Sequence, residues 1–347
     1  MAVIDNSIGR PNLEVFAETL EALAREDRNI VAVTSDSRGS GKLAPFGQRL
    51  PKQIIEIGIA EQNLVGVAAG LASAGKKVFA VSPACFLTAR ALEQIKNDVA
   101  YSDNPVNLIG ISAGVSYGAL GTTHHSLHDF AVLRAINNLI IVAPADAFET
   151  EQAIRQAAAL DKPVYLRFGK KKMPLLPDFG YEISDFGKLS LYPKSEISYP
   201  KSFAFGKGRV VREGNDLVLI GTGETVQPAL EAAGKLSKEQ GIEATVVSMH
   251  TIKPLDYDLL SQLAADGKPI ITVEEHMVYG GLGEACASFL MQNGFRNPFK
   301  IMGIPDEYTV TGSQNDIFKH YGISETGISE IALHLLEKYP LSISMSD

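Results

Sequence analysis

The chain has 347 residues, of which 45% are apolar and 21% are charged, so it is long enough for two compact domains with separate cores. Its net charge of -8 is mild and no basic stripe is present, which argues against nucleic acid and anionic membranes as partners. The two cysteines are too distant for a CxxC motif, and residues 1–10 lack the apolar core of a signal peptide. A cytoplasmic location is therefore predicted.

The first half of the chain alternates between helical and strand patterns. A helix that begins at Asn12, a residue suited to capping, precedes a strand over residues 30–34. Further helices are predicted over residues 61–73, 87–101, 127–136 and 147–160, and strands over 78–81, 106–111, 139–143 and 164–168. Short apolar strands between longer helices predict a parallel sheet covered on both faces, in a domain of residues 1–172.

The pattern lapses over residues 173–208, which are rich in Pro, Gly, Tyr, Ser and Lys and are predicted to be a linker. A second alternating series occupies residues 209–340, with strands over 217–221, 244–248 and 270–273 and helices over 226–239, 257–265, 283–292 and 327–338. Residues 341–347 are left as a tail. The predicted fold class is α/β, with two domains that each contain a mainly parallel sheet covered by helices.

A carboxylate begins the helix predicted over residues 61–73. Residues 58–63 read Gly-Ile-Ala-Glu-Gln-Asn, and the turns that follow Glu61 are apolar and small. The simple interpretation is a first-turn glutamate that interacts favourably with the helix dipole. The functional interpretation is a carboxylate in an apolar wall that is available for proton transfer, with small residues that let a ring or another subunit approach.

Residues 58–63 resemble the pyrimidine-binding motif of transketolases and of the related deoxyxylulose-phosphate synthases. The resemblance implies that Glu61 hydrogen-bonds N1′ of thiamine diphosphate and favours the tautomer whose exocyclic nitrogen deprotonates the thiazolium ring. Residues 86–100 resemble the segment whose leading aromatic residue stacks on the pyrimidine, which indicates Phe86. Ile59 and Arg90 are the other cofactor contacts that the resemblance predicts.

A glycine-rich loop over residues 118–129 contains three histidines and an aspartate. These residue types are compatible with a metal site, but cysteine and further histidine partners are absent nearby. Residues 121–124 instead resemble the family's Gly-x-Thr-His motif, which implies that His124 faces the substrate and is a catalytic candidate. His125 and His128 are interpreted as polar residues at the start of a helix.

Five residues are predicted to bind substrate, His124 among them. The resemblance implies that Ser40 and Arg167 hold a phosphate, and that Asp36 lies in the same loop as Ser40. Ser112 stands where transketolases have a substrate-binding histidine. Leu120 stands where an aspartate contacts the donor sugar, so both positions depart from the family pattern in the part of the pocket that selects the donor.

The resemblance continues into the second domain. Residues 272–283 and 305–308 are similar to motifs of the family's C-terminal domain, which packs subunits together and carries little chemistry. Glu274 and His276 are accordingly expected to be structural.

The family's motif for a divalent cation and diphosphate, Gly-Asp-Gly with a later Asn, does not occur in the sequence. No ligand to Mg²⁺ or another divalent cation is therefore assigned to this chain. The expectation is a split enzyme in which a separate N-terminal, diphosphate-binding transketolase subunit holds the cation. A heterotetramer with two copies of each chain follows from the prevalence of two-fold symmetry.

The predicted activity is transfer of a two-carbon ketol unit from a ketose, phosphorylated or otherwise anionic, to an aldose. Two other enzyme classes share this layout: a synthase that condenses pyruvate with an aldehyde, and the β subunit of a 2-oxo acid dehydrogenase. A non-catalytic subunit that keeps only the fold is a third alternative. The presence of Glu61, Phe86, His124 and Arg167 together argues against that last hypothesis.

Overall fold

A computed structural model describes residues 9–177 and 203–339. The predicted tail and most of the predicted linker lie outside the described residues. In the described part of the chain, no helix is long and apolar enough to cross a membrane.

The first domain contains six strands and seven helices among the described residues. The strands are β1 (Ile30–Thr34), β2 (Ile54–Glu56), β3 (Lys77–Pro83), β4 (Val106–Ile111), β5 (Ile140–Val142) and β6 (Val164–Arg167). The helices are α1 (Asn12–Glu26), α2 (Ala44–Arg49), α3 (Glu61–Ser73), α4 (Ala84–Arg90), α5 (Leu92–Gln94), α6 (Asp129–Arg134) and α7 (Ala147–Ala159).

The second domain contributes six strands and five helices within the same described ranges. The strands are β7 (Arg209–Arg212), β8 (Leu217–Gly221), β9 (Ala244–Ser248), β10 (Thr251–Lys253), β11 (Ile270–Met277) and β12 (Phe299–Ile304). The helices are α8 (Val226–Gln240), α9 (Tyr257–Ala264), α10 (Leu282–Gln292), α11 (Gln314–His320) and α12 (Glu325–Lys338).

Two mainly parallel sheets confirm the predicted fold class. The first has the order β10-β5-β6-β4-β3-β1-β2 and the second has the order β12-β11-β8-β9-β7. Each contains one antiparallel strand at an edge, β10 and β7 respectively. Strand β10 belongs to the second half of the sequence, yet it pairs with β5, so a strand from one domain completes the sheet of the other.

The first sheet has a separate hydrophobic cluster on each face. Helix α3 packs on one face through Leu64, Val65 and Ala68, and helix α1 packs on the other through Phe16 and Leu20. Strand β4, near the centre of the sheet, is buried along its whole length. These contacts place the start of α3, and with it Glu61, near the carboxyl ends of the strands.

Several predicted elements have the observed bounds, including the helix at residues 61–73 and the strands at 106–111, 217–221 and 244–248. The prediction that Asn12 caps α1 is wrong: Pro11 is the capping residue, and Asn12 is the first helical residue, whose Nδ2 donates to Pro144 O at 3.1 Å. The helix predicted over residues 87–101 is interrupted, because α4 and α5 are followed by a π-helical turn at Ile95–Tyr101.

Candidate active site

The segments after strands β1, β3, β4 and β6 converge at one edge of the first sheet. In order, they comprise residues 35–42, helix α4, residues 112–125 and residues 168–172. The buried Oγ atoms of Ser35 and Ser82, which follow β1 and lie near the end of β3, are 2.7 Å apart and join two of these segments. This edge is where ligands collect in parallel α/β sheets.

Glu61, Arg90 and Phe86 form a compact cluster at this edge. Glu61 is 3% exposed and accepts from Arg90 Nη1 at 3.0 and 3.2 Å. The Arg90 Cζ also lies 4.3 Å from the centroid of the half-buried Phe86 ring. A planar group that donates N–H bonds therefore already contacts both the predicted hydrogen-bonding carboxylate and the predicted stacking ring. An aminopyrimidine ring is also planar and donates hydrogen bonds through N–H groups. Glu61 and Phe86 could therefore bind such a ring in the position that the Arg90 guanidinium occupies.

His124 joins the same cluster through ring contacts. Its imidazole meets the Phe86 ring edge-on at 5.3 Å and the Tyr117 ring edge-on at 5.5 Å. Nδ1 lies 3.0 Å from Thr123 Oγ1, and Nε2 makes no hydrogen bond within the described residues. His124 is therefore held in position by two aromatic rings, with one ring nitrogen left for a ligand.

Asp36 and Ser40 both lie on the exposed loop after β1. Ser40 Oγ donates to Ser37 O at 3.2 Å, and Asp36 has a left-handed φ of 52°. Neither side chain hydrogen-bonds Glu61, whose carboxylate is held by Arg90.

Glu56 is a site residue that the sequence analysis missed. Its carboxylate accepts from Asp36 N at 2.6 Å and from Gly58 N at 3.1 Å, so it connects the substrate loop to the pyrimidine-binding motif. Partial burial raises the pKa of Glu56, but these hydrogen bonds and one from Thr34 Oγ1 outweigh it and keep the pKa below its usual range. Its position two residues before the motif was the available signal.

Arg167, the predicted phosphate contact, is bonded to other groups of the protein. Its side chain is 5% exposed, and its Nε donates to the fully buried Asp129 at 2.8 Å. Its Nη2 donates to Glu275 O at 2.7 Å, and Nη1 lies 3.7 Å from the Glu275 carboxylate. The guanidinium is thus occupied by carboxylates and carbonyls between the two domains, and it cannot reach a substrate phosphate without breaking them.

Ser112, another predicted substrate contact, is fully buried and has a left-handed φ of 53°. Tyr117, which is half-buried, is the larger polar side chain of the same loop. Burial raises the pKa of the Tyr117 hydroxyl, and it therefore stays protonated at neutral pH.

Lys170 is an exposed cation at this edge that the sequence analysis left unassigned. Its Nζ lies 3.8 Å from the centroid of the Tyr117 ring. Partial desolvation, together with the nearby charge of Lys42, lowers the pKa of Lys170. Lys42 itself lies 3.5 Å from the Glu14 carboxylate, so Lys170 is the cation here that suits an anionic ligand.

The remaining histidines of the loop have structural partners. The buried His125 contacts Thr309 Oγ1 through Nδ1 at 2.6 Å and Gly118 O through Nε2 at 3.0 Å. His128 Nε2 lies 3.3 Å from Thr88 Oγ1. Among the described residues, no group of three or more His, Cys, Asp or Glu side chains could hold a metal ion.

Glu274 and His276, which were expected to be structural, are buried in the second domain. Glu274 accepts from Leu282 N and Gly283 N at the start of α10, and burial raises its pKa to about 7. His276 stacks on Phe130 at 5.1 Å, and burial lowers its pKa to about 4.

Comparison with protein families gives two matches in this chain. Residues 11–174 match the transketolase pyrimidine-binding domain, and residues 206–328 match the transketolase C-terminal domain. The two matched segments lie on either side of the predicted linker.

The chain is similar over nearly its whole length to two curated proteins. It is 46% identical over 323 residues to one subunit of the apulose-4-phosphate transketolase of Phocaeicola vulgatus, a match that covers 93% of this chain and 96% of the relative. It is 35% identical to a putative transketolase C-terminal section of Methanocaldococcus jannaschii, over 93% of this chain and 95% of that protein. A 1-deoxy-D-xylulose-5-phosphate synthase of Desulfotalea psychrophila is also 35% identical, but only 48% of the synthase is covered.

Solved structures that resemble this chain include transketolases. A split-gene transketolase described as an inactive β4 tetramer superposes with a TM-score of 0.79 at 32% identity, covering 95% of this chain and 99% of that one. A transketolase of Pichia stipitis superposes with a TM-score of 0.75, covering 47% of its own chain, and at 19% identity this likeness shows the fold alone.

Proposed function

Because this chain belongs to the transketolase family, we propose that it is the C-terminal subunit of a split, thiamine-diphosphate-dependent transketolase that transfers a ketol unit from a ketose phosphate to an aldose. The proposal depends on one observation above others. Glu61, Phe86 and His124 lie in one cluster at the sheet edge, within a chain that matches a transketolase subunit over nearly its whole length. The synthase alternative is less favoured because the synthase is 35% identical to this chain, against 46% for the apulose-4-phosphate transketolase subunit.

The residues for the cofactor's pyrimidine ring come from this chain. Thiamine diphosphate, when bound, supplies the nucleophilic carbon that accepts the two-carbon unit. Glu61 would hold a proton toward the ring, in the place now taken by the Arg90 guanidinium, while Phe86 would stack on the ring face. Arg90 must therefore leave this position when the ring enters, and it can then contact the cofactor from the side. The exposed Ile59 lies two residues before Glu61 and would cover the ring's outer edge.

His124, Asp36, Ser40 and Lys170 would contact the substrate. His124 offers Nε2 to a sugar hydroxyl or carbonyl next to the Phe86 ring. Lys170 takes over the anion-binding role predicted for Arg167, because its ammonium is exposed at the site and Arg167 is not. Asp36 and the Ser40 hydroxyl lie on the exposed loop after β1 and would bind polar groups along the donor.

We propose apulose 4-phosphate as the donor, on the basis of the relatives that carry this name at 46% and 36% identity. Leu120 supports a specialised donor pocket. It replaces the family's aspartate with an apolar side chain that is 54% exposed, on the turn at Gly118–Leu120. An exposed leucine selects against a hydroxyl that would need a hydrogen bond there.

The partner subunit would carry the diphosphate site and its divalent cation, since this sequence contains no Gly-Asp-Gly motif. Ile59, just before α3, and the outer face of α3 suit a close-packed partner. Ile59 is 74% exposed, and an added Cβ at Gly66 or Gly70 would meet nothing within 4 Å. Together with the β4 tetramer of a structural relative, this face supports an α2β2 assembly and self-association of this chain alone. Buried, unpaired Cys85 and Cys286 suit the reducing cytoplasm.

Reconstitution tests this function. The chain would be co-purified with a subunit that contains Gly-Asp-Gly, and ketol transfer from apulose 4-phosphate would be measured with thiamine diphosphate and Mg²⁺. Glu61→Gln is expected to lower kcat by about 100-fold or more while the complex still assembles. Glu93→Gln, at an exposed carboxylate nearby, is the matched control. Full activity of Glu61→Gln, or of this chain without a partner, contradicts the proposal.

A further inference from the structure

Two buried glutamates of the second domain bind the backbone of the two substrate loops. Glu275, on β11, accepts from Val115 N at 2.9 Å in the loop that carries Tyr117. Glu224, in the turn after β8, accepts from Lys171 N at 3.1 Å in the segment that carries Lys170. The two glutamates are 1% and 3% exposed. Both loops of the candidate substrate site are thus attached to a domain to which the sequence analysis assigned no site residue.

Each loop provides a glycine at the point of contact. A Cβ on Gly114 would lie 2.1 Å from the Glu275 carboxyl carbon, and a Cβ on Gly169 would lie 2.1 Å from Glu224 Oε1. Any larger residue would move the carboxylate or the loop. The close approach of each carboxylate to the loop backbone therefore requires glycine at positions 114 and 169.

A single amide joins the two carboxylates. Gln314 Nε2, at the start of α11, donates to Glu224 Oε2 at 2.6 Å and to Glu275 Oε1 at 2.8 Å. Burial, together with the charge of Glu224, raises the pKa of Glu275 to about 8, and burial raises the pKa of Glu224. Arg167 faces Glu275 at 3.7 Å and supplies the opposing charge. The position of one carboxylate is therefore linked to that of the other through one shared donor.

The two loops also meet on the side of the substrate, where Lys170 lies over the Tyr117 ring. The contacts close into a ring: Lys170, the Lys171 backbone, Glu224, Gln314, Glu275, the Val115 backbone and Tyr117. We propose that Glu224, Glu275 and Gln314 of the C-terminal domain are positioning residues that fix Lys170 and Tyr117 for binding the anionic end of the sugar substrate. The inference rests on the proposed function and extends it to a domain with no assigned part in substrate binding.

The fixed position of Lys170 bears on substrate binding. An ammonium on a flexible stem binds a phosphate well only if its backbone and one neighbour fix where it points, because otherwise it loses rotamer freedom on binding. The closed set of contacts fixes both the backbone of Lys170 and its neighbour Tyr117. Disturbing these contacts should weaken binding of the substrate's phosphate and leave the chemistry at Glu61, Phe86 and His124 largely intact.

The experiment uses the complex of this chain with its partner subunit, and two donors: the ketose phosphate and the same ketose without its phosphate. Gln314→Leu, at a half-buried position, removes the shared donor with little change of volume. We expect KM for the phosphorylated donor to rise about tenfold with kcat within about twofold, and kinetics with the dephosphorylated donor to change less than about twofold. Gln292→Leu, at an exposed glutamine bonded to Ser288, is the control and should change neither.

A second variant perturbs the same set of contacts from the loop that carries Lys170. Gly169→Ala places a methyl group against Glu224 without adding backbone strain, and should give the same KM effect for the phosphorylated donor. In the double variant Gln314→Leu with Lys170→Met, the two increases in KM should not multiply, since both act on Lys170. Equal losses with both donors, or multiplicative effects in the double variant, overturn the positioning role. A wild-type complex with no ketol transfer contradicts the proposed function instead.

Discussion

Replacing Arg167 with methionine separates a structural role from a substrate contact. The change keeps much of the side chain's volume but removes the cation that donates to Asp129 Oδ2 at 2.8 Å and faces Glu275 at 3.7 Å. Asp129 is fully buried and would retain the hydrogen bond from Tyr165 at 2.8 Å. The carbonyls of Ser126 and Glu275 would lose their donor as well.

Breaking a buried ion pair by removing one partner costs roughly 3–5 kcal/mol, because an uncompensated charge stays in the interior. A domain has a total stability of about 5–15 kcal/mol, so this variant should lose a large fraction of it. With a urea dependence of about 3 kcal/mol per molar, the unfolding midpoint should fall by about 1 M or more.

The measurement is urea unfolding of the purified chain, followed by circular dichroism at one protein concentration so that self-association is constant. Lys162→Met is the control, since Lys162 and Asp103 form a pair at 2.7 Å in which each side chain is about half exposed. That pair should contribute less than about 1 kcal/mol. Wild-type stability of Arg167→Met, combined with weaker binding of the phosphorylated sugar by the assembled enzyme, would show that Arg167 contacts the substrate after all.

Three further outcomes follow from the same contacts. Phe86→Leu should raise the Kd for thiamine diphosphate about tenfold, because a ring-stacking contact is lost, and calorimetry of the reconstituted complex would detect it. Ile59→Ser should weaken partner binding about tenfold in sedimentation experiments without changing the urea midpoint, since Ile59 is 74% exposed in this chain. Glu275 should make a contribution to the unfolding free energy that falls as the pH rises from the ordinary glutamate pKa of 4.5 to its raised pKa of about 8, because the folded chain keeps a proton there that the unfolded chain has released. Glu275→Gln removes this contribution, so the unfolding free energy of the wild type minus that of the variant should fall over this pH range, and a constant difference would contradict the assignment.

Local pattern was enough to predict the helix that begins at Glu61, but not the bounds of α4, which carries Phe86 and Arg90. Alternation of short apolar strands with helices predicted the α/β class, and the observed bounds of α3 and β4 equal the predicted ones. Both elements have dense apolar periodicity, which is a property of consecutive residues. The edge strands β2, β7, β10 and β12 were not predicted, because β2, β7 and β10 have only three or four residues and the apolar residues of β12 are interrupted by Lys300 and Gly303.

Motif resemblance likewise predicted which residue types gather near Glu61. Phe86, Arg90 and His124 do lie together, because each follows a strand whose carboxyl end is at the same sheet edge. The sequence did not indicate that Arg90 would contact both Glu61 and Phe86, the two residues expected to bind the cofactor ring.

The difference in burial between Arg167 and Lys170 follows only from the tertiary structure. Both are cations within a few residues of the end of β6, and sequence alone assigned the phosphate to Arg167. The pleat of a strand and the packing of the second domain direct Arg167 toward Asp129 and Glu275 and leave Lys170 exposed beside Tyr117. Sequence thus determined the fold class and the set of candidate residues, which depend on local pattern. Which of the two cations is buried depends on contacts more than 100 residues apart in the chain, such as that of Arg167 with Glu275, and those exist only in the folded molecule.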